Sequence, residues 1–174
     1  MKRLIKAFRS SSNHPVVKFV ENWFHNHSSM QRNYSFVEQI AAENSDCMFS
    51  GTAFRFIELE EPYEVDNQEK LIEYAYSAIE PIEDISSFSA SKAGVEYFTQ
   101  TEYPSFGVII SASTNGIYLP NLVQKYQNDI DQSSEIDGRI IDSITHEDEV
   151  IVIEPIGNFE IVALIVEHEI NWLK

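Results

Sequence analysis

Val16, Phe19, Val20, Trp23 and Phe24 fall at i, i+3, i+4, i+7 and i+8, the spacing that lines one face of a helix. Pro15 suits the first turn of that helix. Ser35 and Glu38 fit a capping box, with Phe36, Val37 and Ile40 as the apolar face of a second helix. Residues 1–44 therefore predict a helical part. After Gly51 the period changes to two. In 52–59, Ala53, Arg55 and Ile57 share one side of a strand, and Phe54, Phe56 and Glu58 share the other. Residues 60–66 read as a turn. Asn67 caps an expected helix over 68–79, which Pro81 ends. Ser87, Phe88 and Ser89 predict a short strand, and Ser91 an N-cap for a helix burying Val95 and Phe98. Residues 106–112 predict a central strand, 113–121 a turn-rich connector, 121–128 a short helix and 129–140 a mobile polar loop. Another strand is expected in 145–153, a turn at 155–158 and a long final strand over 159–169. The pattern describes an α+β fold in one domain, 1–174, with helices in 1–44 and a β-rich core in 48–174.

Composition narrows this picture. The formal net charge is −16. A surface of that sign repels nucleic-acid phosphates and favours a basic protein partner. Cys47 is the single cysteine, which argues against a disulfide framework or a zinc cluster. The basic N-terminal stretch has no apolar core of the signal-peptide kind, and no apolar run approaches bilayer length. The expectation is a soluble, cytoplasmic protein with no membrane partner.

Three stretches are candidates for chemistry. Glu147 and Glu149 precede the run Val150–Ile153, and on an extended chain they project from one face at a strand mouth. Spacing alone is weak evidence, because Glu58/Glu60 and Glu167/Glu169 repeat it. Arg55 interrupts an apolar strand, so its guanidinium needs a partner. Either a glutamate or solvent meets it, or it grips a phosphate or carboxylate. Ser89 and Ser91 lie in a strand-to-helix turn that can set hydroxyls beside a carboxylate. His25 and His27 lack a nearby carboxylate and make a poor metal set. Segment 129–140 has Ser134 where a calcium loop needs glycine. No metal is expected.

The order of the three stretches is more specific than any one of them. Arg55 within Ala53–Ile57, Phe88-Ser89-Ala90-Ser91, and Glu147-Asp148-Glu149 together resemble the arginine-specific mono-ADP-ribosyltransferases, whose signature runs arginine, Ser-Thr-Ser, Glu-x-Glu. Within that family the chain resembles the small enzymes of tailed phages, which modify host RNA polymerase and translation proteins. The resemblance covers about residues 48–165. Phe56 stands where many members have glycine, and Ala90 replaces threonine.

The resemblance implies two facing β-sheets with NAD in the cleft between them. Arg55 would hold the pyrophosphate, with Phe56, Ser89 and Ser91 also at the cofactor. Ser89 would orient Glu149, and Ser91 would support the turn. Glu149 would stabilise the oxocarbenium-like ribose left by nicotinamide departure, and Glu147 would steer and deprotonate an acceptor guanidinium. The implied substrate is NAD and the implied target an arginine-presenting protein, in a host cytoplasm if phage-encoded. The alternatives are an NAD glycohydrolase with the same site and a catalytically inactive protein-binding module of the same fold.

Overall fold

A computed structural model describes residues 14–62, 67–82 and 84–174. The start of the chain and most of the turn expected at 60–66 lie outside the described residues. Helix α1 spans Pro15–His25, and His14 caps it, its Nδ1 accepting from Val16 N at 3.3 Å. The apolar stripe is buried as its spacing predicts, with Phe19 and Val20 at 0% exposure and Trp23 at 1%. A short helix α2 (His27–Met30) leads to α3 (Tyr34–Glu43). Helix α3 begins before the expected capping box. Asn33 takes the cap position, and Ser35 sits inside the first turn with its hydroxyl on Asn33 Oδ1.

Strand β1 (Met48–Glu58) starts earlier than its alternation suggested and runs straight through Gly51. Helix α4 (Gln68–Ala78) is capped by Asn67, which accepts from Glu69 N at 2.8 Å. Strand β2 (Ser86–Ser89) and helix α5 (Lys92–Glu102) fall where the sequence predicts them. Strand β3 (Phe106–Tyr118) does not stop at residue 112. The segment expected as a connector continues the strand, and Gly116 is there for closeness, not for turning. A Cβ on it would lie 2.3 Å from the carbonyl oxygen of Ile151 on the adjoining strand. Helices α6 (Leu119–Lys125) and α7 (Gln127–Ile130) follow. Helix α8 (Gly138–Glu147), capped by Asp137 on Arg139 N and Ile140 N, takes the last three residues of the loop expected over 129–140 and the first three of the strand expected over 145–153. The chain closes with β4 (Glu149–Val152), β5 (Glu160–Val166) and β6 (Glu169–Trp172). The expected single last strand is thus a hairpin. Its two turn residues, Glu167 and His168, have φ of 50° and 71°, as a tight two-residue turn demands.

The α+β class stands. The strands form one six-stranded antiparallel sheet, in the order β1-β2-β4-β3-β5-β6, where the resemblance implied two facing sheets. Strand β3 also pairs with β1 along eleven residues of register, from Met48–Ile117 to Glu58–Gly107. That pairing joins β1, β2, β4 and β3 in a ring, so the sheet folds back on itself. One face packs Ile117 and Ile151 against α1, α3, α6 and α8. The other packs Ala53, Phe88, Val150 and Ile110 with α4. A third cluster sets Phe54 and Phe56 near Val95 of α5. Among the described residues, no helix is long and apolar enough to cross a membrane.

Candidate active site

Glu147 and Glu149 are not two residues of one strand. Glu147 ends α8, Asp148 turns the chain in the left-handed conformation with φ 56°, and Glu149 opens β4. Aspartate tolerates that conformation better than most residues. Three contacts hold the turn. Ala90 N donates to Asp148 O at 2.8 Å, and the Tyr118 hydroxyl donates to Asp148 Oδ1. Burial, followed by that bond, pushes the Tyr118 phenol up to about 12. Gly94 of α5 lies flat against the turn, where a Cβ would stand 2.2 Å from Glu147 O.

Glu149 is 4% exposed. Its Oε1 accepts two hydrogen bonds, from Trp23 Nε1 at 2.8 Å and from Ser87 Oγ at 2.7 Å. Its Oε2 is buried with no partner among the described residues. Burial raises the Glu149 carboxyl to about 7, against the opposing pull of the Ser87 and Trp23 bonds. The orienting hydroxyl is therefore Ser87, not Ser89. Ser89 stands directly across the ladder from Glu149, and Ser87 is two residues along the same face of β2, where the glutamate side chain reaches it. Ser91 is the N-cap of α5, its Oγ accepting from Gly94 N at 3.1 Å, and it does not line the pocket.

Arg55 reaches the same pocket from the other face. Alternation along β1 puts it with Ala53 and Ile57, and its guanidinium carbon lies 5.6 Å from the Phe88 ring centre. The register between β1 and β2 holds one pair, Phe54 with Ser89, so groups from both faces meet at that corner. Among the described residues Arg55 has no ion pair, and its Nη1 is buried without a hydrogen-bond partner. Among the described residues, neither a glutamate nor open solvent meets that nitrogen. Burial draws its pKa below the ordinary arginine value, yet arginine stays charged at any working pH.

These groups line one pocket of about 410 Å³, with Trp23, Phe24, Phe54, Phe56, Ser87, Phe88, Ser89, Val95 and Phe98 as its remaining walls beside Arg55, Glu147 and Glu149. That volume lies within the usual range for small-ligand sites, about 300–1,000 Å³. Glu147 is half-buried and donated to by the Ser143 hydroxyl. Burial raises its pKa, the Ser143 bond opposes this, and the charge of Glu102 adds to the rise. Of the expected site residues, Arg55, Phe56, Ser89, Glu147 and Glu149 come together and Ser91 stays apart. Trp23 and Ser87 were not anticipated. Ser87 had a signal, since it shares a strand face with Ser89. Trp23 lies 126 positions from its partner and had none. Among the described residues no group of three or more metal-type side chains converges. No family model, curated protein or solved structure matches this chain.

Proposed function

We propose that the protein is a mono-ADP-ribosyltransferase that moves ADP-ribose from NAD to an arginine of a protein target, releasing nicotinamide. One observation carries the reading. Among the described residues, Arg55 Nη1, a buried donor, and Glu149 Oε2, a buried acceptor, are both unpartnered at one pocket. Leaving such groups unsatisfied costs about 1–3 kcal/mol each, more when charged, so each is expected to meet a ligand. NAD offers both partners. Its pyrophosphate takes a guanidinium, and its ribose offers a hydroxyl and, during reaction, a positive charge.

In the proposed step the ribose–nicotinamide C–N bond breaks and nicotinamide leaves with the electron pair. Glu149, ionised, faces the oxocarbenium-like carbon where the aromatic walls exclude water. A guanidinium nitrogen of the target attacks that carbon, and Glu147 takes the proton it loses. An ADP-ribosyltransferase-like fold, with the N-terminal helices packed on the glutamate side, is part of the same proposal. The net charge of −16 suits a basic target in a cytoplasmic setting, of the kind phage enzymes modify. The test uses labelled NAD with a cell lysate, comparing wild type with Glu149→Gln. Label on a discrete protein is expected with wild type and a fall of about 10²–10³ in rate with the variant. Free ADP-ribose as the sole product assigns the site to NAD hydrolysis. No NAD consumption at all rejects both and leaves a binding module.

A further inference from the structure

The resemblance that suggested the chemistry begins near residue 48, but the glutamate at its centre is held from outside that span. Oε1 of Glu149 takes one hydrogen bond from Ser87 in β2 and one from Trp23 in α1. We propose that Trp23 is a positioning residue, which with Ser87 saturates Oε1 and so commits Oε2 to the ligand. The helical N-terminal part is then a working component of the site. An indole suits the task, because its N–H only donates and its ring, at 1% exposure, belongs to the buried cluster that also holds Phe19, Val20 and Val37. A carboxylate with both oxygens free rotates and splits its charge between orientations. With one oxygen pinned twice, the charge faces one direction. The groups around it are Trp23 from α1, Ser87 from β2, Arg55 from β1 and Glu147 from α8. For what the carboxylate does chemically, the proposal rests on the transferase reading.

The chain has two tryptophans, so the indole N–H signals of the ¹⁵N-labelled protein are two. The Trp23 signal is expected to shift with pH around a midpoint near 7, and to stop shifting in Glu149→Gln. Glu147→Gln should leave that titration in place. Trp23→Phe keeps an aromatic ring and removes the donor. It is expected to lower kcat for NAD consumption about tenfold or more, with KM for NAD nearly unchanged and the acid limb of the pH profile moved upward. A Trp23 signal that ignores the ionisation of Glu149 overturns the proposal. So does a Trp23→Phe enzyme with the kcat and pH profile of wild type. If wild type consumes no NAD, the transferase reading falls and the indole titration alone decides the contact. If Trp23→Phe does not fold, the wild-type titration again decides.

Discussion

The molecule contains the same hydrogen bond twice, in two settings. Trp23 Nε1 donates to Glu149 at 2.8 Å, and Trp172 Nε1 donates to Glu96 at 2.8 Å. The first pair is sealed between α1 and β4. The second joins α5 to the last strand, half-exposed, with Lys92 Nζ 4.2 Å from the Trp172 ring centre. Donor, acceptor and length agree, so the bond itself distinguishes nothing. What differs is the medium. Out of water, the cost of a negative charge outweighs the bonds made to it, and the Glu149 carboxyl rises to about 7. A poised acid therefore comes from where a glutamate is buried, more than from the group bonded to it.

The widest separation between the two pairs should appear in the pH dependence of stability. With its folded pKa near 7 and a reference near 4.5, Glu149 binds more protons folded than unfolded across that window. Stability is then lost as pH rises from about 4.5 through 7, by about 3 kcal/mol from this group. Denaturant unfolding at pH 5 and pH 8 measures it. Glu149→Gln, which keeps the shape without the charge, should remove that part of the slope and be the more stable protein at pH 8. A slope equal to wild type in the variant would show that the burial cost lies elsewhere.

Helix α5 links the two settings, since it carries Glu96 and also presses Gly94 on the Glu147–Asp148 turn. Gly94→Ala puts a methyl into a backbone carbonyl and should cost about 1–3 kcal/mol in the unfolding midpoint. On the proposed transferase reading it should also weaken NAD consumption by shifting Glu147, leaving the Trp172–Glu96 bond in place. Smallest of all is Trp172→Phe. Losing this half-exposed bond should cost below about 1 kcal/mol and leave the proposed NAD consumption within about twofold. A large loss of turnover there would mean that the exposed pair also shapes the pocket.

The chain declared much of this layout through local rules. The α1 stripe, the Asn67 and Ser91 caps, the short β2 and the alternation of β1 follow from period and capping chemistry. The errors share one cause. Gly116 looks like a turn residue, but it serves a close crossing with Ile151. The last hairpin turns on Glu167 and His168, with neither glycine nor asparagine to mark it. The segment before Glu147 is polar along its exposed side, and as helix α8 it buries Ile144 fully.

By itself the sequence determined which side chains carry charge, that α1, α4 and α5 are helical and β1 and β2 extended, and the order of Arg55, Ser89, Glu147 and Glu149 along the chain. It also fixed the parity that sends Arg55 and Phe56 to opposite sides of β1. The tertiary structure decided the rest. It chose Ser87 over Ser89 as the donor to Glu149, brought in Trp23 from a distant helix, and set Arg55 and Glu149 at one pocket from opposite faces. The reason is the range of the forces involved. Helix caps and strand alternation act over a few residues and are written locally, whereas desolvation and an unpartnered donor or acceptor depend on everything that surrounds the group after folding.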